Sequence, residues 1–171
     1  MDLRQRFDAG KAIEAILYVA GESPQQDIHT VLKVLFFADK HHLTRYGRLI
    51  TGDSYVAMRP GPVPSGAHDI VKYARGDGRF FECAPAVEAF GIENDTIVPL
   101  READTDYLSE SDLECLGEAI EQYGHLPFGE LERLSHQELA YQESDPNDLI
   151  SFEAFVRALP NAKDVREYLQ V

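Results

Sequence analysis

A mainly α (α+β) fold is predicted: one compact helical domain with a buried central helix and a small β element of two or three short strands. Three observations predict it. Apolar residues recur at helical spacing through most of the chain, and one of these segments, residues 28–46, is apolar around most of its circumference. Helical spacing is lost between Arg79 and Arg101. At 171 residues the chain suits one well-buried core and is short for two domains, so residues 1–171 are read as a single domain.

The elements follow in order. Ile13, Ile16, Leu17 and Ala20 place a first amphipathic helix over residues 7–20, ended by Gly21 and the Ser23-Pro24 loop. Asp27 suits the N-cap of the central helix, which carries Ile28, Val31, Leu32, Leu35 and Phe36 on one side and Val34 and Phe37 on another. It turns polar at Lys40-His41-His42 and stops at Gly47. Residues 55–58 suit an extended segment, and Pro60, Pro62 and Pro64 forbid helix or central strand beyond it. A third helix begins near Pro64-Ser65, with Ala67, Ile70, Val71 and Ala74 inward and a turn at Gly76-Asp77-Gly78. Phe80, Phe81, Ile92 and Ile97-Val98 suggest the short strands, with Asn94-Asp95 as a turn. Ser109-x-x-Asp112 reads as a capping box, ahead of a helix with Leu113, Leu116, Ile120 and Tyr123 inward. Short helices over 128–139, 152–159 and 162–169 complete the chain.

Composition bounds the function. No apolar run approaches bilayer length, and the start Met-Asp-Leu-Arg-Gln-Arg lacks a signal peptide's apolar middle region, so a cytoplasmic protein without membrane contact is expected. Cys83 and Cys115 have neither metal-ligand nor redox spacing and read as small buried side chains. The formal charge of −14 is unevenly placed: residues 1–79 hold 11 Lys and Arg against 9 Asp and Glu, and residues 80–171 hold 5 against 21. Acid in such excess repels nucleic acid and attracts basic partners, or mimics nucleic acid toward them; a solvated surface is the plainer reading of any one carboxylate.

Asp39, His41, His42 and His68 are the only metal or acid-base candidates, but adjacent His41 and His42 diverge by about 100° on a helix. Asp39 and His42 share a face and suit bonding to each other or to a neighbouring segment better than zinc, which takes three or four ligands. Ser65 lacks the glycines of a nucleophile elbow. Neither catalysis, nor a metal, nor a cofactor is expected. Tyr46 and Tyr55 carry hydroxyls that need partners when buried, and Asp53 suits a turn bonded to its own backbone. The proline block with Pro62, Val63 and Pro64 reads as a rigid connector, as a low-entropy ridge meeting a partner, or as both. Only short connections separate the helix end, the Thr-Gly-Asp turn and the proline block, so they should converge as either a brace or a recognition surface.

Leu32-Lys-Val-Leu-Phe-Phe-Ala-Asp-Lys-His-His-Leu-Thr-Arg-Tyr-Gly47, continued by Ile50-Thr-Gly-Asp-Ser-Tyr and Gly61-Pro-Val-Pro-Ser65, resembles the signature of the Panacea domain, the SocA-like antitoxin family of toxin-antitoxin systems. Leu134-Ser135-His136 followed by Tyr141 fits the family layout, where a threonine-histidine pair and a downstream tryptophan are usual; this chain has no tryptophan. The resemblance implies an antitoxin that neutralises a neighbour-encoded toxin by direct contact. It also allows an adaptor presenting the toxin to the ClpXP protease, or a prophage accessory or regulatory protein without a toxin. The partner-binding residues it implies are Asp39, His42, Tyr46, Asp53, Tyr55, Pro62, Val63, Pro64, Ser65 and His136, with a cognate toxin as partner, ClpX as a second partner only in the adaptor alternative, and no nucleic acid.

Overall fold

A computed structural model describes residues 6–170. The start of the chain, read above for a signal peptide, lies outside them up to residue 5. Helix α1 (Ala9–Glu22) is capped by Asp8, whose carboxylate accepts from Lys11 N, and runs through Gly21 to the Ser23-Pro24 stop. Helix α2 (Ile28–Tyr46) starts at the predicted cap, Asp27, and ends at Gly47 in the left-handed conformation (φ 74°). Its buried residues face α1, α3, α5, α6 and α9, which makes it the centre of the fold. Helices α3 (Ser65–Arg75), α5 (Glu110–Tyr123), α6 (Phe128–His136), α8 (Phe152–Arg157) and α9 (Ala162–Leu169) match the helical spacing of the sequence. The Ser109/Asp112 capping box at the start of α5 is complete in both directions.

The β structure differs from expectation in place and pairing. Strands β1 (Tyr55–Met58) and β2 (Gly61–Pro64) form an antiparallel hairpin in register Tyr55↔Pro64 to Met58↔Gly61. The proline block is thus more than a connector. It is a strand, and it occupies the edge of the order β2-β1-β5, where a missing proline N–H costs no ladder bond on the open side. Strand β5 (Leu149–Ile150) pairs with β1 and was not foreseen, since two residues carry no periodicity. Strands β3 (Phe90–Glu93) and β4 (Thr96–Pro99) form the second hairpin through Asn94-Asp95, both at positive φ as a two-residue hairpin turn requires. Phe80 and Phe81 belong to no strand: a 3-10 turn covers Phe81–Cys83, and Pro85 precedes the short helix α4 (Ala86–Ala89). The predicted 128–139 helix breaks after His136, and α7 (Leu139–Gln142) follows.

One continuous buried cluster runs from Ala12 on α1 to Val165 on α9, and both cysteines lie in it. No helix among the described residues is long and apolar enough to cross a membrane. Phe155 joins the C-terminal helices to this core, stacking on Tyr55 (centroids 5.5 Å apart) and meeting Phe36 edge-on at 5.6 Å. Phe155→Ala should cost about 3–5 kcal/mol in urea unfolding, as for other buried aromatic truncations.

Candidate functional site

Three ionisable side chains, Lys33, Asp39 and His42, are buried along α2, and each bonds to residues beyond the helix. Asp39 accepts from the Ile50 N–H (2.7 Å) with one oxygen and from the Tyr55 hydroxyl (2.6 Å) with the other. Both donors are neutral, so burial dominates and pushes Asp39 up to about 7, while the Tyr55 hydroxyl is raised well above its ordinary value. His42 is wholly enclosed. Its Nδ1 lies 2.9 Å from the Arg48 carbonyl, which can only accept, so Nδ1 carries the proton and Nε2 faces the Ser111 hydroxyl at 2.9 Å. Burial lowers its pKa and keeps the ring neutral. Next to it, Asp112 gathers Lys11 Nζ (2.8 Å), Arg48 Nη2 (2.8 Å) and its own cap N–H from Ser109 (2.9 Å). Burial acts to raise Asp112, but these donors outweigh it and hold the carboxyl below its usual range.

Asp53 does more than bond its own turn. Its Oδ1 accepts from the N–H groups of Ser54 and Gly66 (2.7 Å each) and its Oδ2 from that of Ala67 (2.9 Å). It therefore caps α3 from outside the helix, where Pro64 at the cap position offers no side-chain acceptor. Burial nevertheless raises it to about 6. The turn between β1 and β2 is held through its carbonyls, which are what a proline-rich turn has left to bond. Met58 O accepts from the Tyr141 hydroxyl (2.9 Å), Arg59 O from His136 Nε2 (2.8 Å), Pro60 O from Ser135 Oγ (3.5 Å) and Pro62 O from Lys33 Nζ (2.7 Å). His136 and Tyr141 stack with rings 4.9 Å apart and nearly coplanar. Gly61 sits at φ 119°, and a Cβ there would strike Ser135 Oγ.

The structure brings the anticipated residues together in part. Asp39, Asp53, Tyr55 and Pro64 line one small enclosed cavity, so the helix, the Thr-Gly-Asp turn and the proline block do converge. Pro62 and Val63 are buried in β2, and Ser65 opens α3 with its N–H on Ser54 O. His42 and Tyr46 form a neighbouring group with rings 4.9 Å apart. Tyr46 is exposed, its hydroxyl on Glu114 at 2.6 Å. His136 lies on the far side of the hairpin turn. His41 faces Glu118 and Tyr123, and His68 lines a groove beside Lys33. Sequence reasoning passed over Lys33 and the hub role of Asp112. A lysine inside Leu32-Lys-Val-Leu-Phe-Phe is the available signal for the first; nothing local marks the second beyond its cap.

Chemically, this is a set of buried braces whose polar atoms are matched by backbone and side-chain partners from other segments, in a small α+β domain. The family described as "Antitoxin SocA-like, Panacea domain" matches residues 31–141, from α2 through α7. The chain belongs to that family. No curated protein and no solved structure matches the chain.

Two outcomes test the brace. Gly61→Ala should lower stability by at least about 2 kcal/mol in denaturant titration, since it adds backbone strain to a clash with Ser135. Asp39, raised to about 7 in the fold, contributes stability that is full below its ordinary value of 3.8 and lost as pH rises through about 7. Asp39→Asn should therefore gain on the wild type between pH 4 and pH 7.5, measured as the difference in urea midpoints at several pH values.

Proposed function

We propose that this chain is an antitoxin that neutralises a neighbour-encoded toxin by direct protein-protein binding, without catalysis. The observation that carries the reading is the antitoxin-domain match over residues 31–141. The site chemistry supports it. Asp39 and His42, the fully buried acid and base candidates on α2, are both bonded to fold partners, which suits a signature that shapes a surface instead of reacting. The buried Asp39, His42, Asp53, Tyr55, Pro62, Val63 and Pro64 contribute by holding that surface rigid, which lowers the ordering cost of docking. Tyr46, Arg59, Ser65 and His136 are among the signature-associated positions that reach solvent and can touch a partner. The acid of residues 80–171 favours a partner with basic surface.

Expression of the adjacent gene alone should arrest growth, and co-expression of this chain should restore it with recovery of a stable complex. Replacing exposed Tyr46 and Arg59 together by alanine should shift stability by no more than about 0.5 kcal/mol yet reduce the toxin recovered with the chain. Full growth protection by that double variant would remove this face from the interface. Toxin half-life that is unchanged by loss of ClpX corresponds to sequestration, and a half-life lengthened by its loss corresponds to delivery.

A further inference from the structure

A second surface, outside the brace, carries uncommitted chemistry. Between α2, the β1–β2 hairpin, α3 and the start of α6 runs a groove walled by Leu32, Met58, Pro60, Val63 and Phe128. Phe128 is 57% exposed although its ring packs at a tilt against His29 with centroids 4.0 Å apart. Lys33 lies at the groove's floor and is only 1% exposed. Its ammonium bonds the Pro62 carbonyl and has no carboxylate within ion-pair distance among the described residues. His29 Nε2 is shielded from solvent and has no hydrogen-bond partner. His68 faces the groove from α3.

The acids that line the same groove are already engaged. Asp27 accepts from Thr30 N at 3.0 Å as the cap of α2, and Asp95 pairs with Arg75 at 2.6 Å. What remains is the spare donor capacity of the buried Lys33 ammonium, the unpartnered His29 Nε2 and the His68 ring, on an apolar floor. A buried ammonium with no carboxylate in ion-pair contact, and only the more distant charge of Glu132 acting on it, is costly, and a carboxylate delivered between apolar walls would relieve it. We infer that this groove docks an extended segment of a protein partner in which a glutamate or aspartate side chain is flanked by apolar residues. Its carboxylate meets Lys33 and His29, and its apolar neighbours cover Phe128, Met58 and Val63. Burial already pushes Lys33 down to about 7, so the incoming carboxylate would also restore its full charge. This deepens the antitoxin reading and rests on it for the partner being a protein.

The test uses the 15N-labelled full chain titrated with acetyl-Leu-Glu-Leu-amide, acetyl-Leu-Gln-Leu-amide and sodium acetate, followed by amide shifts. The glutamate peptide should move residues around positions 28–33, 58–63 and 128 and bind about tenfold or more tightly than its glutamine isostere, as a hydrogen-bonded charge implies. In Lys33→Gln, which keeps a donor for Pro62 O, that discrimination should vanish; Lys33→Met serves if the first variant does not fold. Phe128→Ala, at an exposed position, should weaken both peptides alike. Equal binding of the two peptides, shifts centred elsewhere, the same response to acetate alone, or no binding up to the solubility limit would each overturn the inference. Growth protection is read separately: neutralisation retained by Lys33→Gln removes only the groove as the toxin contact, and neutralisation absent from the wild type removes the antitoxin reading.

Discussion

A polar side chain on a helix buried on nearly every side must find its partner inside the protein, and this requirement organises the whole molecule around α2. Leaving such a group unmatched costs about 1–3 kcal/mol, more if charged. Lys33 therefore draws in the proline strand through Pro62 O, while Asp39 and His42 hold the loop after α2 through Ile50 N and the Arg48 carbonyl. The partners are mostly backbone atoms, so the bonds fix the path of the chain more than the identity of the residues they touch. Strand β1 is then positioned from both sides, by Asp39 through Tyr55 and by the carbonyl contacts of its turn.

The buried carboxylates divide into two kinds, and the difference lies in who donates. Glu14 receives both Arg101 guanidinium nitrogens (2.6 and 2.9 Å) and the Asp104 N–H, and its bond to Arg101 takes it below the ordinary value. Asp112, with Lys11 and Arg48, behaves alike. Asp39 and Asp53 receive neutral donors only, and burial wins. The charged pairs tie α1 and α5 to neighbouring loops. The neutral ones lie beneath the signature, where a proton is held close to physiological pH.

An inward-facing signature changes how the family pattern reads as a surface. Its buried polar atoms serve the fold, and the outward face includes Arg45, Tyr46, Arg59, the partly exposed His136 and, beyond the hairpin, Phe128. Rigidity inside and a few aromatic or cationic groups outside is a favourable arrangement for docking a partner at small conformational cost.

Helix placement was legible in the sequence because helical periodicity and caps are local: Asp27, Gly47 and the Ser109/Asp112 box each stand where the chain itself put the signal. The convergence of Asp39, Asp53, Tyr55 and the proline block was also legible, from short connections. What only the tertiary structure decided depends on distant partners. β5 forms because β1 offers it an edge, and the Phe80-Phe81 segment, apolar and without helical spacing, turns into a 3-10 turn and not a strand. Asp53 caps a helix that begins 12 positions later in the chain, a bond no local pattern encodes. Lys33 is the sharpest case: as a residue type it belongs at the surface, and it is buried because the β2 backbone brings a carbonyl to its ammonium.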